Sequence, residues 1–237
     1  MIDRAAVDTA LATVNDPELD RSLVELDFVR AVVIDGPDVR VELRLPTYWC
    51  SANFAYIMAE DSRNAIAAIP GVGSVEVTLV DHFMSDAVTD GVNCGRSFEE
   101  AFPDLADGGL DEVRRTFLKK AFVVRQAAAL KLARQAMSDE QVVETCLGEG
   151  PPLGVGDHVW EEYLARRSAL GMSEDPNTLA FTTVKGEALA PFELDIHLRM
   201  ASTVRVSIQA NVEFCTGLLA ARYHEGVEAW QRKEVAA

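Results

Sequence analysis

No lysine occurs before Lys119 in this chain of 237 residues, and 22 Lys and Arg stand against 38 Asp and Glu, a formal net charge of −16. Nucleic-acid affinity comes mostly from lysine and arginine neutralising phosphates, so this balance argues against a nucleic-acid surface. It suits solubility, a basic protein partner or a hard cation. Long apolar runs are missing as well. No stretch of about 18 apolar residues exists, so no membrane span is expected. The opening "MIDRAAVDTALATV" has no basic stretch followed by an apolar block, so no secretory signal is read there. The expected location is cytoplasmic. Cysteine and histidine are scarce: Cys50, Cys94, Cys146 and Cys215, and His82, His158, His197 and His224, all scattered. The absence of any CxxC pair argues against a zinc knuckle or ribbon, and in a cytosolic chain such thiols stay reduced. Enzyme signatures are absent too: no GxxxxGK[ST], no HExxH, no GxSxG, and no Glu-x-x-His pair of the kind that builds a di-iron helix bundle. "GVGSVEV" precedes a strand rather than a helix, which excludes a dinucleotide fingerprint. The reading is that the chain is not an enzyme.

What is present is a regular pattern. Residues 3–14 suit a short helix, and Asp16-Pro17 marks a turn. "FVRAVVID" and the alternating "VRVELRL" read as two strands separated by "DGPD". From Ser51 to Ile69 the apolar residues fall at helical spacings, and "PGVG" ends that helix because proline cannot continue it and glycine supplies the turn. "SVEVTLV" is a third alternating strand. The fold class expected is α+β, a small three-stranded sheet with helices on one face, followed by a mainly α-helical C-terminal domain. The segments expected are 1–82 for the α+β domain, 83–110 for a glycine-rich acidic connector and 111–237 for the helical domain. Within the last, Asp111 to Met137 is strongly helical. Ser138-x-x-Gln141 forms a candidate capping box, "GEGPPLGVG" is a break, and "DHVWEEYLARRSALG" is a helix. A turn of hairpin type is read around Lys185-Gly186. Residues 201–223 fit a long helix, with a strand reading of "LDIHLRMASTVRVSI" as the competitor, and the last dozen residues read as a polar tail.

The sharpest feature is Cys50, placed between the second strand and the following helix. A helix start aims unpaired N–H groups and a positive dipole end at the sulfur. Both favour the thiolate, the metal-binding form, and a loop position is expected to leave the sulfur accessible. A small cap residue is the competing reading. Asp81, His82, Asp86 and Cys94 offer mixed oxygen, nitrogen and sulfur donors for iron or zinc just after the third strand, or form a surface loop with incidental donors. His197, Cys215 and His224 make a third, looser group; Cys215 and Cys146 are read mainly as packing residues. Trp49, Trp160 and Tyr163 are read as packing or interface residues.

Four motifs then fall in order: "DPEL" (Asp16 to Leu19), "SLVEL" (Ser22 to Leu26), "LPT" followed by Cys50, and "IPGVGSVEV" (Ile69 to Val77). With them the first 80 residues resemble the metal–sulfur (iron–sulfur) cluster assembly domain family of the SufT/PaaD type. That domain is shared by the maturation protein of phenylacetyl-CoA epoxidase and by the eukaryotic factor that targets clusters to cytosolic apoproteins. The family usually has proline after the cysteine, where this chain has Ser51, a residue that still suits a helix start. The longer chain resembles members encoded alongside bacterial di-iron hydrocarbon monooxygenases. The resemblance implies that Cys50 is a functional thiol that transiently binds or hands over iron or an iron–sulfur cluster, with Asp16, Glu18 and Thr47 beside it. Asp16 before proline is equally a turn carboxylate. One thiolate cannot hold a cluster, which takes about four protein ligands, so subunits of a homo-oligomer, other residues or a partner complete the site. The function implied is an accessory maturation factor serving a client apo-metalloenzyme, such as a multicomponent monooxygenase, or other assembly factors. The alternatives are a metal-free, chaperone-like adaptor that binds a hydroxylase subunit, and a mononuclear metal enzyme centred on His82 and Cys94.

Overall fold

A computed structural model describes residues 2–105 and 109–223. The chain forms two compact units, residues 1–113 with 208–237, and residues 114–207. The expected polar tail and His224 lie outside the described residues. Among the described residues no helix is long and apolar enough to cross a membrane.

In the first unit, helix α1 (Arg4–Ala12) is opened by Asp3, whose carboxylate accepts from the Ala5 N–H. A two-residue ladder, β1 (Asn15–Asp16) with β2 (Arg21–Ser22), closes the "DPEL" turn. Strand β3 (Val29–Asp35) pairs antiparallel with β4 (Asp38–Arg44), and β4 pairs parallel with β5 (Val75–Val80). The parallel pair needs a crossover, which helix α2 (Ala52–Ala67) provides. Alternation puts Val39, Val41 and Leu43 of β4 and Val77 and Leu79 of β5 on the buried face, where Tyr56, Ile57, Met58 and Ile66 of α2 meet them. The α+β reading of the sheet and its helices therefore stands.

The segment read as a connector is structured. It carries α3 (Ser85–Asn93) and α4 (Phe98–Ala101). Helix α3 lies along the free edge of β5. The Asn93 side chain accepts from the Val77 N–H and donates to the Val77 carbonyl, both at 2.9 Å, and the Leu79 N–H donates to the Thr89 hydroxyl at 3.1 Å. An exposed strand edge invites pairing with another chain, and these side chains occupy it. Composition marked the segment as an ordered or partly ordered connector because glycine and acids dominate it; Val88, Val92 and Phe98 bury into the core.

Helix α5 (Gly109–Ala133) begins in the first unit and continues into the second, whose further helices are α6 (Asp139–Glu144), α7 (Asp157–Ala169) and the first part of α8 (Leu194–Arg222). The Ser138–Gln141 capping box forms as read from the sequence. Trp160, Tyr163, Phe122 and Phe181 pack as the centre of this unit, so Trp160 and Tyr163 are packing residues. The irregular stretch after Gly171 is organised by a buried arginine: Arg167 donates to the carbonyls of Ser173 and Ala180 at 3.2 Å each. The turn at Lys185-Gly186 forms, with Gly186 at φ +81° and the Thr183 N–H bonded to the Glu187 carbonyl. "LDIHLRMASTVRVSI" is helix, and α8 begins at Leu194 rather than 201. Its residues from 208 onward belong to the first unit, where Val212 and Leu219 enter the core.

Candidate functional site

Two loops follow the carboxyl ends of the parallel strands. In open α/β arrangements this is where ligand sites form, because the strand ends splay and the loops are free to carry side chains. The loop after β4 runs through Leu45, Thr47, Tyr48 and Trp49 to Cys50. Leu45 is buried, Thr47 and Cys50 are half-buried, and Tyr48 and Trp49 are exposed, Trp49 by 74%. The loop after β5 starts at Asp81, held at φ +53°, and continues through the buried His82 and exposed Phe83.

His82 joins the two loops. Its Nδ1 accepts from the Met84 N–H at 3.2 Å, which leaves the proton on Nε2, and Nε2 donates to the Cys50 carbonyl at 2.8 Å. Burial lowers the histidine's proton affinity, so the neutral ring with this tautomer is the form the site favours. The Phe83 N–H donates to the Tyr48 carbonyl at 2.9 Å, and the Tyr48 and Phe83 rings approach each other at 6.3 Å. Nε2 of His82 is thus engaged with the Cys50 loop, and Nδ1 with the loop that carries His82 itself. Cys94 is exposed at the end of α3, its sulfur facing Asp90 at 3.8 Å. Asp86 is exposed in the first turn of α3 and lines an open depression with Glu76, Asp90 and Arg96. The donors after β5 are therefore not brought together, and among the described residues no group of three or more His, Cys, Asp or Glu side chains is placed to hold a metal ion.

Cys50 sits one residue before the N-cap of α2. Ser51 occupies the cap position but its hydroxyl makes no capping bond. The expected ionised thiol is not what the surroundings favour: the Cys50 thiol is pushed up to about 12, first by burial, then by the nearby Asp16, Cys215 and Glu18. The Ser51 N–H acts in the opposite direction and is outweighed. One N–H cannot match the loss of water around an anion with carboxylates beside it. Cys50 is therefore half-buried and protonated at neutral pH rather than open and ionised.

Asp16 is buried, and its Oδ1 accepts from the N–H groups of Glu18 and Leu19 at 2.8 and 2.9 Å, the turn role that its place before proline suggested. Burial still raises its pKa to about 6. Glu18 accepts from the Asn211 side chain of α8 at 3.2 Å. Cys215, one turn along α8, is half-buried, and its thiol is pushed up to about 11 by burial and then by Asp16 and Glu18. Asp16 and Glu18 thus act electrostatically on both Cys50 and Cys215. The family resemblance led to the expectation of Asp16 and Glu18 beside Cys50, and Cys215 was left as packing. The helical stripe Val204-Ile208-Val212-Cys215-Leu219 explains that assignment, since nothing local marks one member of a stripe as chemical. In the second unit, His197 has a buried Nε2 without a hydrogen-bond partner and a lowered pKa from burial. Cys146 is half-buried against the carbonyls of Glu144 and Asn177.

Comparison with known proteins places this site in context. A family model described as "Iron-sulfur cluster assembly protein" matches residues 4–78. The chain is 43% identical over 79 residues to an iron–sulfur cluster carrier protein of Synechocystis, covering 33% of this chain and 22% of that protein. It is 39% identical over 77 residues to one of Mycobacterium leprae, covering 32% and 20% respectively. An uncharacterized protein of Methanocaldococcus jannaschii is 31% identical over 91 residues, 38% of this chain and 94% of its own length. The chain thus spans about a fifth of the carrier proteins it matches, and nearly all of the archaeal protein. Asp16, Glu18, Thr47 and Cys50 lie inside the family match; Cys215 lies outside it.

Proposed function

Because the chain belongs, through its N-terminal segment, to the iron–sulfur cluster assembly protein family, we propose that it is an accessory maturation factor. In this reading it binds iron or an iron–sulfur cluster transiently, as cargo, and delivers it to a client apo-metalloenzyme or to another assembly factor. The observation that supports it most is Cys50 itself, on the family-matching segment. Its loop is fixed through its own carbonyl by a buried neutral histidine and bordered by the exposed rings of Tyr48, Trp49 and Phe83. A carrier needs a sulfur held in place yet not committed to a resident metal, and a surface beside it for a partner. A protonated, half-buried thiol is inert until metal or a client displaces the proton. Asp16, Glu18 and Thr47 flank the cargo. A second copy of the chain or the client supplies remaining ligands, and a multicomponent monooxygenase is the client this reading names.

The test is anaerobic reconstitution with ferrous iron and sulfide, followed by absorbance and iron and sulfide counts on the parent and on Cys50→Ala. The expected result is loss of most bound iron in the variant. A variant that retains the parent's iron sinks the thiol role.

One observation favours the second reading, a metal-free adaptor. Phe192, Ile196 and Met200 recur every four residues and are 81%, 60% and 66% exposed, an apolar stripe of the kind helices use to dock on partners. That reading predicts full function in a Cys50→Ser strain together with co-purification of a hydroxylase subunit.

A further inference from the structure

Helix α8 is one continuous helix of 29 residues, about 43 Å long at the usual rise. Leu194, Ala201, Val212 and Leu219 form its buried side. On the other side, Ile196, Met200, Thr203, Ser207, Ala210 and Phe214 follow one another at alternating steps of four and three residues, and all six are exposed. That alternation keeps a seam on one helix face, and it is the spacing by which two helices interlock. Val206 stands beside the seam. It, Ile196, Met200 and Phe214 are each more than half exposed. Single exposed apolar residues need no explanation, but a row of them on one face marks an interaction surface. The charges beside the seam point to what covers it. Arg199 and Glu213 lie seven residues to either side of Val206, on its side of the helix. Neither forms an ion pair among the described residues: Asp195, near Arg199, is taken by Arg134 at 2.8 Å, and Glu213 accepts from the Gln209 amide at 3.0 Å.

We propose that this face of α8 is a self-interface, on which the α8 of a second copy lies antiparallel with Val206 at the two-fold axis. A two-fold interface must be complementary to itself, and this face is. Reversing the helix about Val206 sets Arg199 of each copy against Glu213 of the other, so symmetry makes the ion pair twice. The same register layers Ile196 on Phe214, Met200 on Ala210 and Thr203 on Ser207 of the second copy, which fills the seam with large residues at its ends and small ones at its centre. A parallel pair, or an antiparallel pair shifted by one heptad, sets Arg199 and Glu213 against uncharged residues instead. Charge pairs of this kind fix register and orientation more than they add affinity, and the apolar layers supply the affinity. The proposal stands apart from the cargo reading, since neither Cys50 nor its flanking residues take part. It gives Ile196 and Met200 to a second copy rather than to a hydroxylase subunit.

The test is sedimentation equilibrium on the full chain under reducing conditions, with far-UV circular dichroism to check that each variant is folded. The parent is expected to sediment as a dimer. Met200→Glu and Phe214→Glu place a charge in the seam, and each is expected to weaken the dimer by tenfold or more, on the order of the loss of one well-packed apolar layer. Arg199→Glu and Glu213→Arg each set like charges against one another at both ends, with an expected weakening of roughly tenfold. The double reversal, Arg199→Glu with Glu213→Arg, restores opposite charges and is expected to return to within about threefold of the parent. That rescue is what another interface, or this helix in another register, does not produce. A double reversal as weak as the single variants therefore overturns the proposal, and so does a dimer that none of the variants weakens. A parent that stays monomeric at about 0.1 mM overturns it as well, including one that binds a hydroxylase subunit in a manner sensitive to Met200→Glu, which assigns the face to that partner.

Discussion

Asp16 holds a turn together while sitting where a charge is unwelcome. Its folded pKa, about 6, lies above the ordinary aspartate value of 3.8. Between those values the folded chain keeps a proton that the unfolded chain has released. The stabilisation from that proton is complete below about pH 4 and is lost as pH rises through 6. Asp16→Asn preserves the oxygen that accepts from Glu18 and Leu19 and removes the charge. At pH 7.5 we expect it to be more stable than the parent by on the order of 3 kcal/mol, with the difference vanishing near pH 4. Urea unfolding at both pH values checks this, and a parent that is the more stable protein at pH 7.5 refutes the burial argument. At this scale the local setting of Asp16 and Cys50 was legible and their ionisation was not. Asp16 in its turn and Cys50 at its corner followed from neighbours in the chain. Whether Cys50 is thiol or thiolate depends on how much water remains around it, and that is set by residues distant in sequence.

Helix α3 shows what an element's environment adds. A period-two pattern marks β5, but not that one of its edges is left open, nor that Asn93 and Thr89 close it. Asn93→Ala leaves the Val77 N–H and carbonyl without these partners. Because Val77 is buried, the expected loss is about 1–3 kcal/mol, measured by chemical denaturation, with faster hydrogen exchange along β5. Unchanged exchange there contradicts the edge-closing role. Helices α1, α2, α6 and α7 were legible because caps, period and proline or glycine stops are local signals. The α8 segment was ambiguous because its valines and isoleucines fit both periods, and the core decided for helix.

On the scale of the whole molecule there are two apolar clusters, one around β4, β5 and α2 and one around Trp160, Tyr163 and Phe181. Leu43→Ala in the first and Phe181→Ala in the second are each expected to cost about 2–5 kcal/mol. Residue-resolved hydrogen exchange reports them separately: protection falls in the strands for Leu43→Ala and in α7 for Phe181→Ala. A uniform fall for both variants rejects two separately stabilised cores. The net charge of −16 acts at this scale too, favouring solubility and partners with a basic face.

By itself the sequence determined the order of strands and helices, the turn at Asp16-Pro17, the corner that carries Cys50 and the family to which that corner belongs. These are short-range facts, written in periodicity, capping residues and motif spacing. Only the tertiary structure decided that His82 fixes the Cys50 carbonyl, that α3 closes the sheet and that burial holds the Cys50 and Cys215 thiols protonated. It alone also brought Asn211 of α8 to Glu18, near the other end of the chain. Each of these depends on burial and on contacts between distant segments, and a linear pattern encodes neither.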